Sequence, residues 1–530
     1  MRLRIILAAI FSLVLSATAA APTLHFDDGN TWWHYVSVLA ADNMDGRETG
    51  SPGLARAESY VVDELKKSGI ESAGNNGFYQ PVKFTERRLN EKNSSLALVK
   101  DGKAEPLQLG EDATLSTRVS DTAPSVEAQL AFVGYGLKIL EKNYDDLAGQ
   151  DLHGKVVVTL GGHPPGIPGA LAAHASSTQE RWKAMKDAGV IGVIAIPDPS
   201  NMDIPWSRMM VNRLHPSMSL AYPEFDHTAG EKLGASFNPA HADKLFAGSG
   251  HTFEELLQLA KAKKPLPHFP LAVSIRAKAD VQKRELTSNN IVAKLTGSDP
   301  KLKDQYVVLS AHIDHLGIGA PINGDKIYNG AMDNGSGSAA LLDIAKSIAG
   351  SQDKPRRSLL FLWVTGEEKG LLGSEYFAAY PTVSKSDIVA DVNMDMFLPI
   401  IPLKVMTVFG LVESDLGDWA KEACESQGVH VQPDPEPQRN AFVRSDQYSF
   451  IKEGVPAVAM DVGFTKDTFA IQKQWLTNRY HAPSDDLKQP VDKQTAAKYE
   501  EIARALLLKT ADAPSKPEWK QDSFFKRFAK

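Results

Sequence analysis

The 530-residue chain has a single cysteine, Cys424, so no disulfide can form within it and its stability must come from a large buried core. Cys424 falls in the helical spacing of Ser414 to Gln427, where it reads as a small buried hydrophobe rather than a reactive thiol. No apolar run is long enough to span a bilayer comfortably, and no internal repeat or long low-complexity segment interrupts the sequence. Neither sign of charge dominates: the formal net charge is -7, which argues against nucleic acid or an anionic membrane as the main partner. The one Gly/Ser-rich loop, Asn334 to Ser338, lacks the lysine of a phosphate-binding loop, which excludes nucleotide binding there.

At the amino terminus, Met1-Arg-Leu-Arg4 is basic, Ile5 to Leu15 is apolar, and Ala17-Thr-Ala19 or Ala19-Ala-Ala21 offers a small-residue cleavage site. This is the pattern of a secretory signal peptide over 1–21, which places the mature protein in a periplasm or outside the cell. Loss of Arg2 and Arg4 with the leader makes the mature chain more negative still. No cysteine lies near the cleavage site and no stop-transfer flank follows, so no stable membrane anchor is expected.

Several β-rich runs end in polar motifs. Gln305 to Ala311 stops at His312-Ile-Asp314, Ser358 to Thr365 stops before Glu367-Glu368, and Ile388 to Met394 stops at Asp395; each reads as a buried strand. Between the first two, Asn329-Gly330 marks a turn and Ser338 to Ile348 has helical spacing, entered through Asp333 to Gly337. Tyr480-His481 follows later. Open α/β sheets place ligands at the carboxyl ends of such strands. A His-x-Asp or a Glu-Glu pair alone is most often structural or solvated. Five such motifs in order, each at a strand or loop end, point instead to a two-metal hydrolase. Zinc accepts imidazole and carboxylate ligands, two ions need a carboxylate that gives an oxygen to each, and a separate carboxylate must move the proton of the attacking water.

The segment Asp42-Asn-Met-Asp-Gly-Arg-Glu-Thr-Gly-Ser-Pro-Gly53 and these motifs, up to about Leu487, resemble the M28 family of zinc aminopeptidases. The resemblance implies that His312 and Asp395 bind one zinc, Glu368 and His481 the other, and that Asp333 bridges both. It further implies that Glu367 is the general base and acid, and that Asp314 orients His312 through its other ring nitrogen. His315 is read as a rim or structural residue. Ser445-Asp446-Gln447 has Gln where the family usually has His, which leaves Asp446 as a residue behind the ligands or beside the substrate. Met332 and Ala482 also depart from the family pattern, without removing a ligand.

The expected fold is α/β, a mixed, mainly parallel central sheet with helices on both faces, plus a β-rich insertion. The expected organisation is a zinc peptidase domain over 22–95 and 280–512, an insertion over 96–279, and a polar carboxy-terminal tail over 513–530. Asn143 to Leu147 and Lys186 to Val193 make the insertion resemble a protease-associated domain. The implied activity is an exported dizinc aminopeptidase acting on peptides with a free amino terminus. A carboxypeptidase on the same scaffold would need a cation for the terminal carboxylate, for which Arg444 or Arg479 is available. A single-zinc glutaminyl cyclase and a non-catalytic receptor-like module are the other readings, the last disfavoured because all five ligands are present. Leu411 to Asp415, Phe442 and Asp461 to Thr468 are expected to wall the specificity pocket.

Overall fold

The computed structural model describes residues 25–529 apart from 203, 353 and 440, so the leader read over 1–21 lies outside the described residues. Two large sheets organise the chain. The first has ten strands, ordered Ser217–Leu220, Tyr79–Leu89, Val281–Leu295, Ser358–Val364, Tyr306–His312, Ile388–Asn393, Ala457–Val462, Val405–Phe409 and His430–Gln432, with Glu71–Ser72 added against Val281–Leu295. Its centre is parallel: Tyr306–His312 runs with both Ser358–Val364 and Ile388–Asn393, and the latter runs with Ala457–Val462. The strands beyond Ser358–Val364 pair antiparallel. The fold is thus the mixed α/β type expected, with parallel pairing concentrated in the middle.

The central strands are apolar at almost every position because both faces are covered. Alternate side chains sort into two layers. Val307, Leu309, Ala311, Leu359, Phe361 and Trp363 pack with the helices Asn30–Leu39, Pro52–Lys67, Gly337–Gly350 and Lys493–Asp512. Val308, Leu360, Leu362 and Val364 face the opposite side, against Phe377 of the helix Leu372–Ala379 and Phe450 of Gln447–Lys452. Pro52–Lys67 is capped by Ser51, whose Oγ accepts from Leu54 N, with proline at the first helical position.

The second sheet has eight strands, all drawn from 95–278. It carries its own apolar layers, with Val156 and Val158 on one face and Val157 on the other. One strand of this stretch of chain, Ser217–Leu220, leaves it to pair with Tyr79–Leu89 at the edge of the first sheet, so the two sheets are joined by backbone hydrogen bonds.

The carboxy-terminal segment differs from the polar tail expected over 513–530. Trp519 and Phe525 are buried, at 7% and 0% exposure, in the layer that contains Phe377 and Phe450. Trp519 Nε1 donates to Gly454 O at 3.0 Å and Ser523 Oγ to Glu413 Oε2 at 2.6 Å. Lys516 is exposed and Lys520 pairs with Asp418, while the aromatics nearby close an apolar gap. Among the described residues, no helix is long and apolar enough to cross a membrane.

Candidate metal centre

The carboxyl ends of the central strands deliver the polar motifs to one place. His312 is the last residue of its strand, Glu367 and Glu368 lie just beyond Ser358–Val364, and Asp395 lies two residues past Ile388–Asn393. Asp333 sits in the turn Ala331–Ser336 that enters the helix Gly337–Gly350. That turn is fixed by Asn334, whose amide nitrogen donates to Met394 O at 3.0 Å and whose Oδ1 accepts from Gly337 N and Met396 N. Gly330 has a φ of 59°, and a Cβ there would stand 2.1 Å from Asp333 O and 2.5 Å from the His315 ring, so only glycine lets the turn approach.

The side chains converge in two groups whose nitrogen and oxygen atoms lie within 4.8 Å of one another: His312, Glu367 and Asp395, and His315, Asp333 and Glu368. His312 Nε2 is 3.1 Å from Asp395 Oδ1 and 3.5 Å from Asp333 Oδ1. On the other side, His481 Nε2 is 3.2 Å from both Asp333 Oδ2 and Glu368 Oε2. Asp333 therefore turns one oxygen to each histidine. Its Oδ2 is buried and accepts no well-aligned hydrogen bond, although His481 stands at contact distance. Close approach without hydrogen-bond alignment is how ligands sharing an ion are arranged, and imidazole plus carboxylate is a zinc donor set. The residues present fit a pair of divalent ions.

The structure corrects several expectations. His315 is not at the rim: it is fully buried, and its Nδ1 lies 2.6 Å from Glu368 Oε1. Spacing alone made it look like a bystander, but the chain turns sharply after the strand and returns it to the cluster. Asp314 does not hold His312 through its carboxylate, which is 3.9 Å from Nδ1. The backbone carbonyl of Asp314 does so at 3.1 Å, and the carboxylate accepts instead from Thr49 Oγ1 at 2.7 Å and Glu367 N at 3.1 Å. Asp446 is fully buried, and burial pushes its carboxyl to about 7, so it is no substrate-side group. The neighbour that touches a ligand is Ser445, donating to Asp395 Oδ2 at 2.7 Å. Arg479 turns away to bond the Ser484 carbonyl. Phe442 packs on Phe525 rather than walling the pocket.

Sequence reasoning missed the supports. Arg47, 1% exposed, donates to the carbonyls of Leu39, Ile313, Asn329 and Gly330 at 2.7 to 2.9 Å. It ties the amino-terminal segment to the loop after His312 and to the turn before Asp333, and burial lowers its guanidinium to about 10 against the pull of Asp485 and Asp333. Asp485 accepts from Met332 N and Asp333 N at 3.0 Å, fixing the bridging aspartate by its backbone. From the helix Trp206–Asn212 of the insertion, Arg208 bonds the carbonyls of Leu476, Thr477 and Tyr480, and Asn212 Nδ2 reaches His481 O at 3.3 Å. They hold His481 at a φ of 53°, a conformation side chains rarely adopt. The sequence offered for Arg47 only its place in the Gly-rich segment 42–53, and for Arg208 nothing.

The field over the two glutamates is unequal. Burial drives the Glu367 carboxyl well above the usual range, against the pull of His312 and with Asp395 and Glu368 adding to the rise. Burial acts on Glu368 too, but His481 and His315 flank it and hold it well below that range. Two cavities meet at Glu367, Arg444, Tyr480 and His481. One, of about 160 Å³, is lined by Met396, Leu398, Phe464 and the carboxylates Asp434, Glu436 and Asp461. The other, of about 680 Å³, lies between the two sheets' domains and is lined by Arg118, residues 174 and 176–180, His227 and Lys452.

Residues 290–507 match the model of Peptidase family M28. The chain is 27% identical over 240 residues to leupeptin-inactivating enzyme 1 of Streptomyces exfoliatus, covering 44% of this chain and 50% of that one. It is 28% identical over 207 residues to aminopeptidase Y of Saccharomyces cerevisiae, covering 38% and 35%. The alignments thus span half or less of these curated relatives. The solved aminopeptidase from Aneurinibacillus sp. strain AM-1 superposes with a TM-score of 0.58 at 19% identity, over 92% of this chain and 95% of that one, a likeness of fold that includes the inserted region. The strand-end cluster, from His312 to His481, falls within the segment that matches Peptidase family M28.

Proposed function

We propose that this chain is an exported dizinc exopeptidase of the aminopeptidase type. The observation that carries this reading is Asp333, which presents one oxygen to His312 and the other to His481, with Glu367 beside it where the two cavities meet. His312 and Asp395 would hold one ion, Glu368 and His481 the other, and Asp333 would serve both. When bound, two zinc ions lower the pKa of a shared water and polarise the scissile carbonyl.

The chain's own residues do the rest. Glu367, its carboxyl raised by burial, takes a proton from the attacking water at its carboxylate and delivers it to the leaving amine. Its backbone is pinned by Asp314, and Thr49 holds Asp314 in turn. His315 donates to Glu368 Oε1, leaving Oε2 turned to His481. The smaller cavity, with the carboxyls of Asp434 and Asp461, both raised by burial, and with Glu436 held by Arg439, offers oxygen acceptors to the free ammonium end of a peptide. We assign the inserted sheet to the protease-associated type and give it the role of narrowing the larger cavity.

The test is a panel of peptides blocked at one end or the other, assayed with and without a chelator. Free amino-terminal peptides are trimmed, acetylated ones resist, and zinc restores the chelated enzyme. Cleavage of acetylated peptides from the carboxyl end refutes the aminopeptidase reading in favour of a carboxypeptidase, and formation of pyroglutamate from amino-terminal Gln would make it a cyclase.

A further inference from the structure

The larger cavity holds a cation that the mechanism above does not use. Arg118 belongs to the inserted region, and the backbone around it is anchored. Ser116 N donates to Gly234 O at 2.8 Å, Thr117 Oγ1 and Ser217 Oγ are 2.7 Å apart, and Ser120 N donates to Thr228 Oγ1 at 3.0 Å. The side chain reaches across the cavity toward the turn that carries the two glutamates. Its Nη1 is 3.7 Å from where a Cβ on Gly370 would stand, and Gly370 N closes that turn on Glu367 O at 2.7 Å. Among the described residues its guanidinium makes no ion pair or side-chain hydrogen bond, whereas Lys452, in the same cavity, is held by Glu375 at 2.7 Å. Arg118 is exposed, so its guanidinium is open to a ligand, and its planar fork matches a carboxylate.

Of the other charges lining the larger cavity, Glu375 is engaged by Lys452 and His227 and Glu453 by Lys385, whereas Arg118 has no such partner among the described residues. A short peptide carries at one end a carboxylate that such a guanidinium can bind. We infer that Arg118 binds the free carboxy-terminal carboxylate of the substrate, and that the enzyme acts preferentially on di- and tripeptides. An extended chain advances about 3.3 to 3.6 Å per residue, so a carboxylate one or two residues past the scissile bond falls in the cavity, while that of a long peptide passes beyond it. This inference rests on the aminopeptidase reading but fails separately from it.

The experiment compares Leu-Gly-Gly with its carboxy-terminal amide, and with a longer peptide of the same start, on the wild-type protein, Arg118→Ala and Arg118→Lys. Hydrolysis of leucine anilide by the wild type tests the aminopeptidase reading alone. The free acid is expected to exceed the amide at least about tenfold in kcat/KM, the scale of a charge-assisted hydrogen bond, with the difference in KM. Arg118→Ala should bring the acid-to-amide ratio close to one, and Arg118→Lys should restore part of it. The inference is overturned if the wild type cleaves anilide but treats acid and amide alike, or if Arg118→Ala lowers acid and amide by the same factor. The latter would make Arg118 a structural or electrostatic prop of Glu367.

Discussion

Glu367 and Glu368 are neighbours in sequence with opposite surroundings, and exchanging each for glutamine separates their roles. Both oxygens of Glu368 are engaged, Oε1 by His315 at 2.6 Å and Oε2 by His481 at 3.2 Å. An amide there puts an NH2 against a ring nitrogen and removes a ligand charge. Glu367 has a looser hold: its nearest imidazole contact is Oε2 to His312 Nε2 at 3.9 Å, so an amide of equal volume disturbs no ligand. Glu367→Gln should keep two zincs per chain and the fold, yet lose about two to four orders of magnitude in rate, equivalent to about 3 to 5 kcal/mol of transition-state stabilisation. Glu368→Gln should lose one zinc and recover part of its activity in excess zinc. Asp333→Asn should be the worst, because it weakens both sites. Zinc analysis of the purified variants, alongside turnover, decides the matter. If Glu367→Gln loses zinc and Glu368→Gln keeps both ions, the pair has been assigned the wrong way round.

Three further outcomes follow from the supports. Arg208→Ala frees the carbonyls that hold the His481 loop and should weaken one zinc site about 10- to 100-fold, measured by competition with a chromophoric chelator; unchanged affinity would confine Arg208 to packing. Glu375, held by His227 at 2.9 Å and Lys452 at 2.7 Å, has its carboxyl lowered to about 2: burial opposes the charge, and these two partners more than offset it. Its contribution of about 3 kcal/mol is present above the unfolded value near 4.5 and is lost as pH falls through 2, so the stability gap between wild type and Glu375→Gln in denaturant should be level from pH 7 to 5 and shrink below 4.5; a gap that widens on acidification refutes the sign. Phe525→Ala removes a fully buried ring from the carboxy-terminal segment and should cost about 3 to 5 kcal/mol, whereas a solvated tail would lose nothing measurable by thermal unfolding.

Much of the centre was legible along the chain because parallel strands buried on both faces write themselves as apolar runs, and a catalytic sheet places its polar residues where those runs stop. Tyr306–His312, Ser358–Val364 and Ile388–Asn393 could be delimited to within a residue or two, and His312, Asp333, Glu367, Glu368, Asp395 and His481 could be singled out by type and order. The helix at Cys424 was legible for a similar local reason, its periodicity.

What only the tertiary structure decided are the contacts between residues far apart in sequence. His315 enters the cluster because of the path after the strand, which spacing does not reveal. Arg47 meets carbonyls more than 260 positions away, and Arg208 crosses from the insertion to the His481 loop. Arg118 follows Thr117, which contacts Ser217 of the strand that pairs with the first sheet. The aromatics of the last segment find their apolar gap only after helices from elsewhere have formed it. Local periodicity records which face of an element is buried, not which distant element buries it, and the carbonyls that Arg47 and Arg208 satisfy belong to backbone, which carries no side-chain signature to read.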